Sequence, residues 1–304
     1  MKATRDAYGE ALAEFGAKYD FVVLDADLSK STKTATFKKA FPERFVNCGI
    51  AEGNMMGVAA GIATTGRPVF ASTFAVFAAG RAYDAVRNGI AYPHLNVKIA
   101  ASHAGISVGE DGASHQCLED IALMRAIPGM VVCCPADAAS TRSAVLAAIE
   151  HDGPVYLRLG RLGVPDLYEK DAPFAFGKGN VLRDGENLAI VACGLMVAQA
   201  LKAADLLQEK GLSAAVIDMH TVKPLDIPLL EKCARKTGRI VTVEEHNILG
   251  GLGGAVCEAL SEVYPTKVQR IGMEDRFGQS GKAEELLSIY GLTGEGIAAR
   301  ILAE

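Results

Sequence analysis

No apolar run in this chain approaches the ~18 residues that a membrane-spanning helix needs, so no segment reads as a membrane span. No block of five like charges occurs either, and the formal net charge is −5. That balance argues against nucleic acid or an anionic membrane surface as the main partner. It also means that any phosphate chemistry must rely on locally placed basic residues. Cysteines are few and scattered: Cys48, Cys117, Cys133, Cys134, Cys193, Cys233 and Cys257, with no C-x-x-C pair. Neither a zinc site nor a dithiol redox motif is expected. Residues 1–19 are polar and helix-periodic and lack the apolar core of a signal peptide. An odd number of cysteines in such a chain reads as free thiols in a reducing cytoplasm, and a cytoplasmic protein is the expectation.

What is present is ordinary globular material. The 304 residues are half apolar and 22% charged, enough for two domains and a sizeable core without disulfides. Short apolar runs at 21–24, 45–46, 69–70, 97–101, 130–134 and 155–157 alternate with helix-periodic segments at 52–65, 74–91 and 137–150. Strands spaced by helices predict βαβ units and a parallel sheet. Residues 160–187 are rich in Gly, Pro, Asp and Lys and carry no period, and 166–186 are read as a linker. The pattern then restarts, with strands expected at 188–192, 214–217, 240–243 and 268–271. The predicted fold class is α/β, two domains with mostly parallel sheets flanked by helices, at 1–165 and 187–304.

In the first domain, polar residues gather just after the strands: Asp25 and Asp27, Gly49 and Glu52, Ser72 and Thr73, Ser102 and His103, Arg158 and Arg161. In doubly wound sheets the ligand crevice lies outside the carboxyl ends of the strands, so the site is placed there. Glu52, in Gly-Ile-Ala-Glu, is by position a helix-start carboxylate favoured by the macrodipole, or a catalytic acid. Phe74 and Phe77, three apart on an expected helix, either pack in the core or form a platform for a flat ring. The segment GEDGASHQ (109–116) concentrates two acids and a histidine in a non-periodic loop, which favours a site-forming role. His103 and His115 could each titrate near neutrality and handle protons. Arg5 and Arg161 are surface charges by default, although Arg161 follows a strand end and suits phosphate. The Gly-rich run 249–254 does not meet G-x-G-x-x-G and is read as a tight turn. Glu244, Glu245 and His246 before it are read as structural.

Four segments together resemble the C-terminal half of transketolase: CGIAEGNMMGVAAGIA (48–63), STFAVFAAGRAYDAVRN (72–88), SHAGISVGEDGASHQCLEDIALMRAIPGM (102–130) and VEEHNILGGLGGAV (243–256). They also resemble deoxyxylulose-phosphate synthase and the beta subunits of 2-oxoacid dehydrogenases, but GEDGASHQ is specific to the transketolase side. The resemblance implies a pyrimidine-binding domain over 1–165, a transketolase C-terminal domain over 187–304, and thiamine diphosphate with Mg²⁺ or another divalent metal as cofactors. It implies that Glu52 bonds a ring nitrogen of the cofactor's aminopyrimidine, that Phe77, with Phe74 beside it, stacks on that ring, and that Asp27 lies near a partner's cofactor loop. His103, Asp111 and His115 match substrate residues, with His115 at the reacting carbonyl. Arg5, Arg161 and Ser31 match the phosphate end, with Ser29 the alternative to Ser31. Where the family has a further aromatic after Phe77 this chain has Gly80, and Tyr83 is the candidate substitute. The family's Gly-Asp-Gly and Asn pair, which hold the diphosphate and its metal, are absent. The implied protein is therefore the C-terminal subunit of a split transketolase of pentose phosphate chemistry. It would act on sugar phosphates only with a separate N-terminal subunit, as a heterotetramer of two plus two. A 2-oxoacid dehydrogenase beta subunit is the alternative.

Overall fold

The computed structural model describes residues 1–169 and 174–304. A seven-stranded sheet runs in the order Thr221–Lys223, Val131–Cys133, Val155–Arg158, Val97–Ser102, Val69–Phe74, Val22–Asp25, Phe45–Asn47. Every pairing in it is parallel except that of Thr221–Lys223 with Val131–Cys133. Its central strands are buried end to end, which is why they read as continuous apolar runs with no alternation. A five-stranded sheet follows, ordered Lys267–Met273, Arg239–Asn247, Leu188–Ala192, Ala214–Asp218, Asn180–Arg183. It is parallel except for its last strand. Both sheets carry helices on their faces, and the two-domain α/β expectation holds. The cysteines are all free, and five of the seven are buried.

Two expectations change. Residues 74–91 do not form one helix. Phe74 ends a strand, paired in register with Ser102, and Phe77–Arg81 and Ala85–Ala91 form wide turns in which each N–H reaches back five residues, as Ala82 N to Phe77 O and Tyr92 N to Arg87 O. Such π-turns are rare and gather at functional sites. The stretch read as a linker also carries structure. Asn180–Arg183 adds an antiparallel edge strand to Ala214–Asp218 across a register shift. The side chain of Asp137 accepts from the backbone of Leu167 and Tyr168 at 2.7 and 2.9 Å. A four-residue edge strand is too short to show a period, hence its silence in the sequence. Residues 170–173 of that stretch lie outside the described residues. The edge strand Thr221–Lys223 comes from the second half of the chain and completes the first sheet, so the two halves share a core.

Candidate functional site

The carboxyl ends of the first sheet's strands open on a cleft of about 460 Å³, lined by Arg5, Lys30, Ser31, Phe74, His103, Asp111, His115 and Arg161. Arg5 comes from the first helix, Thr4–Gly16, and His103 from just beyond a strand. The one-turn helix Ser29–Thr32, which carries Lys30 and Ser31, is held by Asp25. Its buried carboxylate accepts from Leu28 N at 2.5 Å and from the hydroxyls of Thr32 and Thr34 at 2.7 and 2.8 Å. Lys30 is an addition to the expected set. Its only sequence signal is a cation beside Ser31, and a lysine in a polar loop is usually just solvated. Ser29 is not among the residues lining the cleft.

His103 sits at φ +56°, a left-handed conformation that side chains adopt sparingly and that recurs at functional sites. Its Nε2 accepts from Arg5 Nη1 at 2.9 Å, so Nδ1 carries the proton and donates to Ser102 Oγ at 2.9 Å. Burial first, then the positive charges of Arg5 and Arg161, lower its pKa to about 3. The expectation that His103 titrates near neutrality therefore fails. It is a neutral ring of fixed tautomer, a positioned acceptor and not a proton shuttle. Burial also works against the charge of Arg5, which Asp6 supports and Arg161 opposes.

This makes a prediction about stability. Between pH 6.5, the ordinary value, and about 3, the unfolded chain takes up a proton at this residue and the folded chain does not. Its share of stability is complete above 6.5 and is lost as pH falls, by up to about 1.4 kcal/mol per pH unit. Asp218, raised to about 7 by burial, acts in the opposite sense, so the test is a difference. Urea midpoints should fall less steeply from pH 6.5 to 4 in His103→Gln than in the wild type. Parallel slopes would mean that the folded ring takes up its proton as the unfolded one does.

Three rings assemble beside this histidine. Phe74 stacks on His103 with centroids 3.8 Å apart, and on Phe77 at 5.9 Å with an interplanar angle of 11°. His115 stands edge-on to Phe77 at 5.6 Å. Tyr83 gives its hydroxyl to Leu123 O at 3.2 Å and packs on the core, so His103, not Tyr83, extends the Phe74–Phe77 stack. Ser114 Oγ holds His115 Nδ1 at 3.0 Å, which leaves Nε2 as the nitrogen available to a ligand. Glu52 opens the helix Glu52–Ala63 with only 2% of its surface exposed. Both its oxygens accept from Arg81 Nη1, at 3.2 and 3.0 Å, and the Arg81 guanidinium lies over the Phe77 ring, 4.5 Å from its centroid. Arg81 is a second addition to the expected set; a cation four positions after Phe77 is its only local signal.

The loop 106–116 is buttressed from the second domain. The Gln116 amide donates to Ile106 O, to Gly109 O and to Gln279 O at 2.9 Å, and Glu245 accepts from Ser107 N at 3.1 Å. Gly105, at φ +82°, lies against that Glu245 carboxylate, where a side chain would collide with it. Glu244 accepts from Leu252 N and Gly253 N at 2.7 and 2.8 Å, so the Gly-rich turn binds a carboxylate of its own chain at a helix start. Arg161 donates to Val108 O and to Glu110 at 3.0 Å and lies 3.8 Å from Asp111. Asp27 is exposed, at φ +65°, where it accepts from Asn47 at 2.8 Å, and it is not among the residues lining the cleft. Among the described residues no group of three or more His, Cys, Asp or Glu could hold a metal ion, and no helix is long and apolar enough to cross a membrane.

Residues 1–165 match the transketolase pyrimidine-binding domain and residues 177–297 the transketolase C-terminal domain. The chain belongs to the transketolase family. A protein of Methanocaldococcus jannaschii named as a transketolase C-terminal section is 55% identical over 307 residues, 100% of this chain and 96% of that one. One of the apulose-4-phosphate transketolase subunits of Phocaeicola vulgatus is 41% identical over 99% of this chain and 97% of its own. A structure described as a split gene transketolase, inactive β4 tetramer, superposes with a TM-score of 0.93 at 56% identity and covers 100% of this chain and 98% of that chain. Against the transketolase of Campylobacter jejuni the TM-score is 0.86 at 25% identity, and this chain spans 47% of that one. Transketolases use thiamine diphosphate and a divalent metal. The Glu52–Phe77 pair fits the aminopyrimidine end of that cofactor, because it already holds one planar N–H donor group, the guanidinium of Arg81, flat on the ring and bonded to the carboxylate.

Proposed function

We propose that this chain is the pyrimidine-holding subunit of a two-chain transketolase that moves a two-carbon ketol unit between sugar phosphates. The observation that carries this reading is the gathering of Arg5, His103, Asp111, His115 and Arg161 around one cleft, joined through Phe74 to the Glu52–Phe77 seat. When bound, thiamine diphosphate supplies the electron sink for cleaving and forming carbon–carbon bonds. The chain's residues do the rest. Glu52 holds a proton at the ring nitrogen and Phe77 holds the ring face. His103, a neutral acceptor pinned by Arg5, and Asp111 orient donor hydroxyls. His115 Nε2 meets the reacting carbonyl oxygen. Arg5, Lys30, Ser31 and Arg161 face the phosphate, local cations in a chain of negative net charge.

The diphosphate and its metal would be held mainly by an N-terminal-type subunit, in an assembly of two copies of each chain, with Asp27 near the partner's cofactor loop. Several features support that reading. Gly53, Gly57 and Gly61 along the Glu52–Ala63 helix face nothing within 4 Å, and Ile50 beside Glu52 is 78% exposed. The inactive β4 tetramer described for the 56% identical split gene transketolase is the state expected of such a chain without its counterpart.

The test is a substrate panel run with the partner chain present. The complex should transfer two carbons from a ketose phosphate to an aldose phosphate. Arg161→Ala should raise KM for phosphorylated sugars about ten- to a hundredfold, the scale of charge-assisted bonds to phosphate, and affect unphosphorylated analogues far less. Turnover of 2-oxo acids with acyl transfer to lipoamide, and none of ketoses, would overturn the assignment.

A further inference from the structure

Arg81 takes no part in the chemistry above, yet it sits in the middle of the machinery. Its guanidinium is a flat, nitrogen-rich group lying 4.5 Å over the Phe77 ring and donating to both oxygens of Glu52. Those are the two contacts that an aminopyrimidine needs, a ring face and a buried carboxylate. We infer that Arg81 is a stand-in for the cofactor's aminopyrimidine: it fills the seat while the cofactor is absent and must swing out for the cofactor to enter. The inference rests on reading Glu52 and Phe77 as the pyrimidine seat.

Three features make the role physically reasonable. First, Glu52 is 2% exposed, and an unpaired buried carboxylate is costly, so a lone chain needs a counter-charge there. Second, the Arg81 side chain is 55% exposed, so its pairing is solvent-screened and weak enough for a ligand to displace. Third, the wide turn Phe77–Arg81 carries the arginine back over the ring it shields. The closed arrangement is also chemically idle. The Arg81 guanidinium covers both the Phe77 ring face and the Glu52 oxygens, the surfaces that a pyrimidine ring would use. The same competition lowers apparent cofactor affinity by the fraction of molecules whose seat is open.

The probe is 4-amino-5-hydroxymethyl-2-methylpyrimidine, the ring without thiazolium or diphosphate, titrated into the full chain and followed by ligand-observed NMR. Arg81→Ala should bind it about tenfold more tightly than the wild type, the factor set by the closed fraction. Arg81→Lys should fall between, because an ammonium pairs with Glu52 but cannot lie flat on the ring with a forked contact. Glu52→Gln added to Arg81→Ala should weaken binding again. Thermal melting of Arg81→Ala and Arg81→Lys checks that each is folded. Equal affinity in wild type and Arg81→Ala, with Glu52→Gln still weakening it, overturns the stand-in and leaves the pyrimidine seat intact. Indifference to Glu52→Gln, or no binding to Arg81→Ala at millimolar probe, overturns both. The measurement needs neither partner nor catalysis, so it is separate from the activity tests.

Discussion

Glu52→Gln is expected to lower turnover of the assembled enzyme by about 10²–10⁴-fold, the usual scale for a positioned acid–base group. The substitution keeps the shape, the helix start and the hydrogen-bonding reach of the side chain, and removes only its capacity to hold and return a proton. Two observations sharpen the expectation. The carboxylate is buried, so water cannot readily replace it. Its one described side-chain partner, Arg81, cannot act as an acid or base near neutral pH, because a guanidinium stays protonated. On the inferred stand-in role of Arg81, losing its ion pair with Glu52 carries no catalytic cost by itself. The glutamine variant should still assemble with its partner and still bind cofactor, more weakly. Near wild-type turnover in a variant shown to be fully assembled would remove Glu52 from the proton path.

The second large effect is the requirement for another polypeptide. Calorimetry of the purified chain with thiamine diphosphate and Mg²⁺ should show no metal-dependent binding at micromolar protein, and no ketol transfer. Adding the N-terminal-type subunit should restore both. On the proposed function, Glu52 and Phe77 are this chain's carboxylate and ring face for the aminopyrimidine. A diphosphate with its divalent cation instead needs several hard oxygen ligands and a backbone nest or helix N-terminus, and the family's Gly-Asp-Gly and Asn pair that supply them do not occur here. A cofactor that touches both chains must tighten their association by the factor by which association tightens its own binding. Sedimentation with and without cofactor should therefore show a shift toward the mixed assembly. Tight magnesium-dependent binding to this chain alone, or ketol transfer without a partner, would refute the two-chain reading. The two experiments are independent: a Glu52→Gln chain should still confer metal-dependent cofactor binding on the complex.

The sequence by itself determined the α/β class, the alternation of strands and helices, and the family. All of these are written in local features: apolar runs of strand length, and contiguous motifs such as Gly-Ile-Ala-Glu and GEDGASHQ. Glu52, Phe77, Asp111 and His115 were legible for the same reason, since each sits inside a motif of neighbouring residues. The tertiary structure decided what depends on residues far apart in the chain. Arg81 reaches Glu52 across 29 positions, and Arg5 reaches His103 across 98. Neither pairing has a local signature, yet one neutralises a buried carboxylate and the other turns an expected proton carrier into a neutral acceptor. The edge strands Asn180–Arg183 and Thr221–Lys223 were likewise invisible, being four and three residues long and existing only by pairing with strands elsewhere. A strand, a turn and a motif are selected by the residues next to them. A protonation state, a stacking partner and an edge pairing are selected by burial and by whatever the fold brings alongside.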